Sequence, residues 1–268
     1  MNFTRKLSVP AGKFRLSSRD PDSTPGIRNK AEGAELLMKN LARIDELQFS
    51  LYAEHRRSLL IVLQAMDAGG KDGTIRSLAA AFNPQGCRVT SFKVPSSEEA
   101  DHDFLWRIWK AVPGKGEVGI FNRSHYEDVL VVRVHQLVPE SVWSARYDQI
   151  NGFERHLSDN GTTILKFFLH ISKDEQKQRF IERIKDPRKG WKYSPRDLEE
   201  RALWDDYQAA YEQALRRCNT VAAPWFVIPA NRNWYRNAAV SQIVVDTLEQ
   251  MAPRIPKAVI DRKNIRIE

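Results

Sequence analysis

Residues 58–74 read SLLIVLQAMDAGGKDGT, an apolar run that passes directly into a glycine-rich turn carrying one lysine. Ser58 to Ala65 is nearly continuous in hydrophobic residues, as expected of a parallel strand covered on both faces. Glycines in the turn let the backbone bend tightly enough to aim several N–H groups into one concavity. A helix predicted to follow Gly73 adds the positive end of its dipole. A phosphate fits such a concavity, and Lys71, directly after Gly70, can set an ammonium against a terminal phosphate. The match to the G-x-x-x-x-G-K-S/T pattern is imperfect: Ala65 stands at the first glycine and Asp72 at the Ser/Thr that normally meets magnesium. A plain glycine-rich turn is the alternative. The strand before it and the helix after it favour a phosphate loop of Ala68, Gly69, Gly70, Asp72, Gly73 and Thr74 around Lys71.

Working outward, the strand–helix alternation returns four times. Arg88 to Val94, Glu117 to Asn122, Thr162 to Ile171 and Trp225 to Pro229 read as strands, with helical patterns between them. Leu37, Leu41, Ile44, Leu47 and Leu51 recur at spacings of three and four and predict an amphipathic helix from about Glu32. Such alternation implies an α/β fold: a three-layer α/β/α sandwich around a parallel sheet. Residues 1–30 hold Pro10, Gly12, Pro21, Pro25 and Gly26 without periodicity, which suggests an arm that wraps the domain or a loose terminus. With no repeat or composition break beyond it, residues 31–268 are expected to form one domain.

Forty-two Lys plus Arg against 34 Asp plus Glu give a formal net charge of +8, which makes an anionic partner plausible. The longest apolar stretch falls far short of the ~20 residues of a membrane-spanning helix. The basic, polar N-terminal twenty residues do not read as a signal peptide. A cytoplasmic protein without a membrane partner is expected. Cys87 and Cys218 are too few for a disulfide framework or a multi-cysteine metal cage and read as reduced thiols.

Carboxylates flank the loop lysine. Asp67 lies just past the strand end, where ligands of open α/β sheets bind, and is the preferred magnesium ligand. For Asp72, a helix cap and a catalytic role stand side by side. A second cluster, GIFNRSHYED (residues 119–128), follows the third strand. Asn122 occupies the strand-end position that usually supplies a carboxylate to magnesium, and the nearby Glu127 and Asp128 can restore the missing charge. Arg123 can neutralise oxygens of a transferring group. His125 is a candidate base, but transfer onto a phosphate needs no strong base, so a hydrogen-bonded structural histidine is preferred.

From Arg183 to Arg196 six basic residues (Arg183, Lys185, Arg188, Lys189, Lys192, Arg196) face one acid, Asp186, a local charge of +5. Pro187, Gly190 and Pro195 break any helix, so a basic loop between two helices is expected, with Trp191 and Tyr193 to stack or to anchor. This is a candidate lid, over about 183–201, that would shield phosphates from water. A solvated charge run is the alternative. Trp204, Tyr207 and Tyr211 read as packing residues.

Four stretches together resemble the second family of polyphosphate kinases: QAMDAGGKDGT (64–74), FNRSHYEDVLV (121–131), DPRKGWKYSPRDLEER (186–201) and APWFVIPANRNWYRN (223–237). The resemblance covers roughly residues 30 to 250. It implies a phosphate-loop kinase fold similar to thymidylate kinases, with a helical lid, and phosphate transfer between inorganic polyphosphate and nucleotides. Carried over by motif, Asp67 would organise magnesium (or manganese), Lys71 would hold the transferring phosphate and Arg123 would stabilise its charge. Arg183, Lys189 and Lys192 would grip phosphates from the lid. Many members have Asp where this chain has Asn122. The N-R-S-x-Y-E-D form with Glu127 resembles the subgroup that accepts both AMP and ADP, so ADP and ATP are the expected products. A homo-oligomer, dimer or tetramer, is expected.

The nearest rival is an ATP-dependent kinase using the same loop and lid. A rival of another class is a nucleic-acid-binding module, suggested by the charge and by Trp191, Tyr193, Trp234 and Tyr235 near Arg232 and Arg236. Nucleic acid is not the expected primary partner, because its binding does not require a glycine-lysine loop between a buried strand and a helix.

Overall fold

A computed structural model describes residues 3–188 and 190–257. Strands β1 (Ser58–Ala65), β2 (Cys87–Ser91), β3 (Val118–Asn122), β4 (Thr162–His170) and β5 (Trp225–Pro229) form one sheet in the order β2-β3-β1-β4-β5. Every neighbouring pair is parallel, with Leu59 opposite Val118 on one side of β1 and opposite Thr163 on the other. All eight residues of central β1 are buried, which is why its sequence is a run rather than an alternation.

The helices of seven or more residues are α1 (Lys30–Glu54), α2 (Lys71–Ala79), α3 (Glu140–Asp159), α4 (Lys173–Lys185), α5 (Arg196–Ala202), α6 (Trp204–Arg217) and α7 (Asn233–Met251). Helices α1, α2 and α7 pack together as one layer, while α3, α6 and the turn after β3 form the other. Three layers result, as the alternation predicts. Helix α1 starts where the Asn29 side chain accepts from the Glu32 N–H at 3.0 Å, buries Ile44, Leu47 and Leu51, and ends at His55 in the left-handed region.

Some boundaries differ from the sequence expectation. Strand β2 ends at Ser91, not Val94: Phe92 makes one last ladder bond to Asn122, and Pro95, which has no N–H, stops the pairing. Helix α2 begins at Lys71 rather than after Gly73, because Gly70 (φ 97°) takes left-handed backbone as N-cap while Gly73 is already helical. Asp72 is therefore inside the first turn and is not the cap. Arg183 and Lys185 lie in the last turn of α4, so the irregular part of the basic run begins at Asp186, the next residue, rather than at Arg183.

The N-terminal segment wraps the domain. Val9 donates to the Trp225 carbonyl at 2.9 Å and Ser8 pairs antiparallel with Phe226, covering the open edge of β5. Phe3, Leu7, Val9, Phe14, Leu16 and Ile27 are buried in the common core.

Candidate active site

The chain leaves β1 through a turn in which Gly69 donates to the Met66 carbonyl at 2.9 Å. Ala68 (φ 59°) and Gly70 (φ 97°) both take left-handed backbone, the alternation that gathers successive N–H groups into an anion-binding concavity. A Cβ on Gly69 would collide with the Ala65 side chain, so glycine is required there sterically. The Thr74 hydroxyl bonds back to the Gly70 carbonyl at 3.2 Å and is buried, closing the loop from within rather than facing its mouth. Lys71 reaches back along the strand end, its Nζ donating to the Ala65 carbonyl at 3.0 Å. Burial, and then the Arg123 guanidinium, push its ammonium down to about 8, against the pull of Asp67, Glu127 and Asp72.

Strand β3 ends beside this loop. The Asn122 amide donates to Asp72 Oδ1 at 3.2 Å, and Arg123, itself left-handed at φ 62°, spans Asp67 (3.0 Å) and Glu127 (3.3 Å). Those two carboxylates fix the guanidinium across the cleft and hold it ionised. Asp128 points elsewhere: it pairs with Arg146 of α3 at 2.9 Å and lines neither cavity described below. The expected phosphate or nucleotide contact at Asp128 thus gives way to an ion pair with α3. Burial raises that carboxyl to about 6 despite Arg146.

Below this turn is a fully buried polar cluster. Lys166 of β4 donates to Glu154 Oε2 at 2.6 Å, to the Tyr126 hydroxyl at 2.8 Å and to the Cys218 carbonyl at 2.6 Å. The Tyr126 hydroxyl donates to Glu154 Oε1 at 2.9 Å, and His125 Nε2 lies 3.2 Å from the same oxygen. Burial alone would raise the Glu154 carboxyl, but Lys166 and His125 outweigh it and hold it ionised. Burial lowers His125, keeping the ring neutral, so its Nε2–H donates and it has no access to the cleft. His125 is structural.

Helix α4 carries Gln176, Arg179 and Arg183 along one face. Gln176 donates to the Asp67 carbonyl at 3.0 Å, Arg179 to the Ala68 carbonyl at 2.9 Å, and Arg183 to Asp197 of α5 at 3.1 Å. His135 Nε2 meets Glu200 of α5 at 3.0 Å, and Tyr207 donates to the same carboxylate at 2.6 Å. Lys189 and the side chain of Lys192 lie outside what the structure describes.

Two cavities meet here. One of about 250 Å³ is bounded by the loop from Asp67 to Asp72 together with Asn122, Arg123 and Arg183. The other, about 440 Å³, has an apolar wall that includes Leu130, Val131, Tyr207 and Tyr211, and a polar rim of Glu127, Arg196 and Glu200. Asp67 and Arg123 belong to both. The small cleft suits phosphate groups, and the larger one has the size and mixed lining of a small-ligand pocket. Among the described residues no three His, Cys, Asp or Glu side chains converge to hold a metal. The oxygen donors Asp67 and Asp72 nevertheless fit magnesium, which is commonly held by one or two carboxylates plus substrate phosphates.

Residues 27–256 match the family Polyphosphate kinase 2 (PPK2). The chain belongs to that family. It is 56% identical over 97% of its length to an AMP/ADP-polyphosphate phosphotransferase of Meiothermus ruber, 97% of which is covered. It is 45% identical, again over 97% of the chain and 94% of the relative, to an ADP-polyphosphate phosphotransferase of Rhodopseudomonas palustris. The crystal structure of polyphosphate kinase 2 from Arthrobacter aurescens TC1 superposes with a TM-score of 0.95 at 48% identity, covering 97% of this chain and 94% of that one.

In this polyphosphate kinase 2 family member the loop, Arg123 and Arg183 border the smaller cleft and Glu127 lines the larger cavity beside it, together with several residues that have no sequence signal. Tyr207 and Tyr211 are buried, as packing residues should be, yet each also presents a face to the larger cavity. Gln176 and Arg179 carry no motif signal in the sequence; only their place on α4 beside the loop reveals them. Arg236, read with Arg232 as a hint of nucleic acid, is buried behind the loop, and Tyr235 is buried with its hydroxyl on the Pro25 carbonyl. No helix among the described residues is long and apolar enough to cross a membrane.

Proposed function

We propose that this chain transfers the terminal phosphate of inorganic polyphosphate to AMP and then to ADP, giving ADP and ATP, and that the reaction runs in both directions. The observation that carries it is the shared wall: Asp67 and Arg123 border both a phosphate-sized cleft and a pocket large enough for a nucleoside. The names of the two relatives above support the donor and both acceptors. A phosphate oxygen of the acceptor attacks the terminal phosphorus, the bond to the next phosphate of the chain breaks, and the chain leaves one unit shorter. Lys71, Arg123 and Arg183 neutralise the charge brought together. The acceptor oxygen is already ionised, so the transfer needs no histidine base.

Asp67, with Asp72 beside it, would hold magnesium, or manganese in its place, which supplies charge neutralisation between phosphates. Glu127 sets Arg123 at the pocket mouth and in this reading governs the balance between AMP and ADP. Lys189 and Lys192 grip the chain from the lid, and the excess of positive charge makes polyphosphate binding weaken with salt. The exposed Met38, Phe49 and Tyr52 of α1 support the homo-oligomer, and the reduced cysteines support the cytoplasm.

The test mixes purified protein with AMP, magnesium and polyphosphate, without ATP, and follows nucleotides by chromatography. ADP followed by ATP is the expected result. ATP from added ADP alone would remove the AMP step. Transfer that runs only from ATP to another acceptor would replace the proposal with the ATP-dependent kinase.

A further inference from the structure

Arg236, in the first turn of α7, is 3% exposed. Its Nη1 donates to Asn233 Oδ1 at 2.6 Å, and its Nε and Nη2 donate to Asn237 Oδ1 at 3.1 and 2.9 Å. Both acceptors are neutral amide oxygens, and among the described residues no carboxylate pairs with this guanidinium. A buried cation without a counter-ion is expensive, and among the described residues no ion pair offsets that cost. The charge that acts on it is a second cation, Arg179, and burial together with Arg179 pushes Arg236 down to about 10.

The position of the charge points to what balances it. Arg236 Nη1 fills the space a Cβ on Gly70 would need, and Nη2 lies 2.9 Å from where a Gly73 Cβ would stand. Gly70 and Gly73 bracket Lys71, so the guanidinium backs the phosphate loop directly behind its lysine. Gly73 has helical backbone and needs no conformational freedom; its missing side chain makes room for Arg236. Arg179 braces the same unit from α4, donating to the carbonyls of Ala68, Ala230 and Asn231, but it has Glu175 at 2.7 Å as counter-ion. The carboxylates on the front of the loop, Asp67 and Glu127, are engaged by Arg123.

We propose that Arg236 is a positioning residue of the phosphate loop: it wedges behind Gly70 and Gly73, fixes the direction of the loop's N–H groups, and holds a buried positive charge that is balanced when phosphate enters. The inference rests on the loop receiving a phosphate, as in the proposed function.

The test uses tripolyphosphate as probe and the full chain as wild type, Arg236→Gln, Arg236→Lys and Gly73→Ala. Thermal unfolding is followed against tripolyphosphate concentration, and KM is measured separately for polyphosphate and for AMP. Tripolyphosphate stabilises the wild type, and Arg236→Gln needs at least ~10-fold more of it for the same shift, the scale of one charge-assisted hydrogen bond. The KM for polyphosphate rises in step while that for AMP stays within about twofold. Arg236→Lys falls between, because lysine keeps the charge and loses the planar fork. Gly73→Ala, which displaces the guanidinium, weakens tripolyphosphate binding in the wild type and adds little in Arg236→Lys; this cycle decides the matter if Arg236→Gln does not fold. Equal tripolyphosphate response in Arg236→Gln and wild type would overturn the inference alone. No stabilisation of the wild type would overturn the phosphate-loop reading with it.

Discussion

In the proposed reaction Lys71 meets phosphate, and its ammonium is held near the edge of its charged range, pushed down to about 8 where a free lysine stands near 10.5. Phosphate binding favours the charged form. Below about pH 8 that form is already present, so the KM for polyphosphate is flat; above it each binding event takes up a proton and KM climbs, by up to about tenfold per pH unit. The expected profile between pH 6.5 and 9.5 shows this break in the wild type, and Lys71→Arg, which stays ionised, loses it. Lys71→Ala lowers turnover by at least ~100-fold with folding intact, checked by kcat beside circular dichroism. A flat wild-type KM across the range would mean that Lys71 does not touch the bound phosphate. At this scale the sequence was informative where the chemistry is local: Asp67, Lys71 and Gly70 sit within five residues of one another. Asp128 was not legible, because its direction is decided by Arg146, eighteen residues away on α3.

The turn after β3 shows how elements hold these residues in place. Arg123 and Glu127 face the cleft, while Ser124, His125 and Tyr126 between them are buried and tied to Gln64 on β1, Glu154 on α3 and Lys166 on β4. Lys166→Met leaves the Glu154 carboxylate buried and unpaired, a loss of about 3–5 kcal/mol in urea unfolding. The double variant Lys166→Met with Glu154→Leu regains most of that stability, since an apolar pair carries no desolvation cost. Its kcat stays depressed, because Tyr126 and His125 have lost the acceptor that sets the turn. Wild-type kcat in the stable double variant would show that the cluster serves stability only. Element existence was readable from apolar runs, but element ends were not: α2 starts at Lys71 because of a single left-handed glycine, and α4 carries Arg183 because Pro187 stops the helix only after the basic pair.

Across the molecule, the N-terminal arm covers the open edge of β5. Deleting residues 1–10 removes Phe3, Leu7 and Val9 from the core, at about 1.5–3 kcal/mol each, and bares the edge of β5. Thermal unfolding is expected at least ~10 °C lower, with aggregation on heating. An unchanged transition would mean that the arm is not part of the cooperative unit. Hydrophobic periodicity and turn chemistry are short-range, so the sequence by itself determined the strand–helix alternation, the parallel sheet, the glycine-rich turn after β1 and the basic run that follows α4. Its proline- and glycine-containing first thirty residues, however, left wrapping and looseness equally open. Strand order, the covering of β5 by Ser8 and Val9, the meeting of two cavities at Asp67 and Arg123, and the seat of Arg236 behind Gly70 and Gly73 came only from the tertiary structure. Each joins residues from about 30 to more than 200 positions apart, and what brings them together is close packing of side chains, which no local pattern encodes.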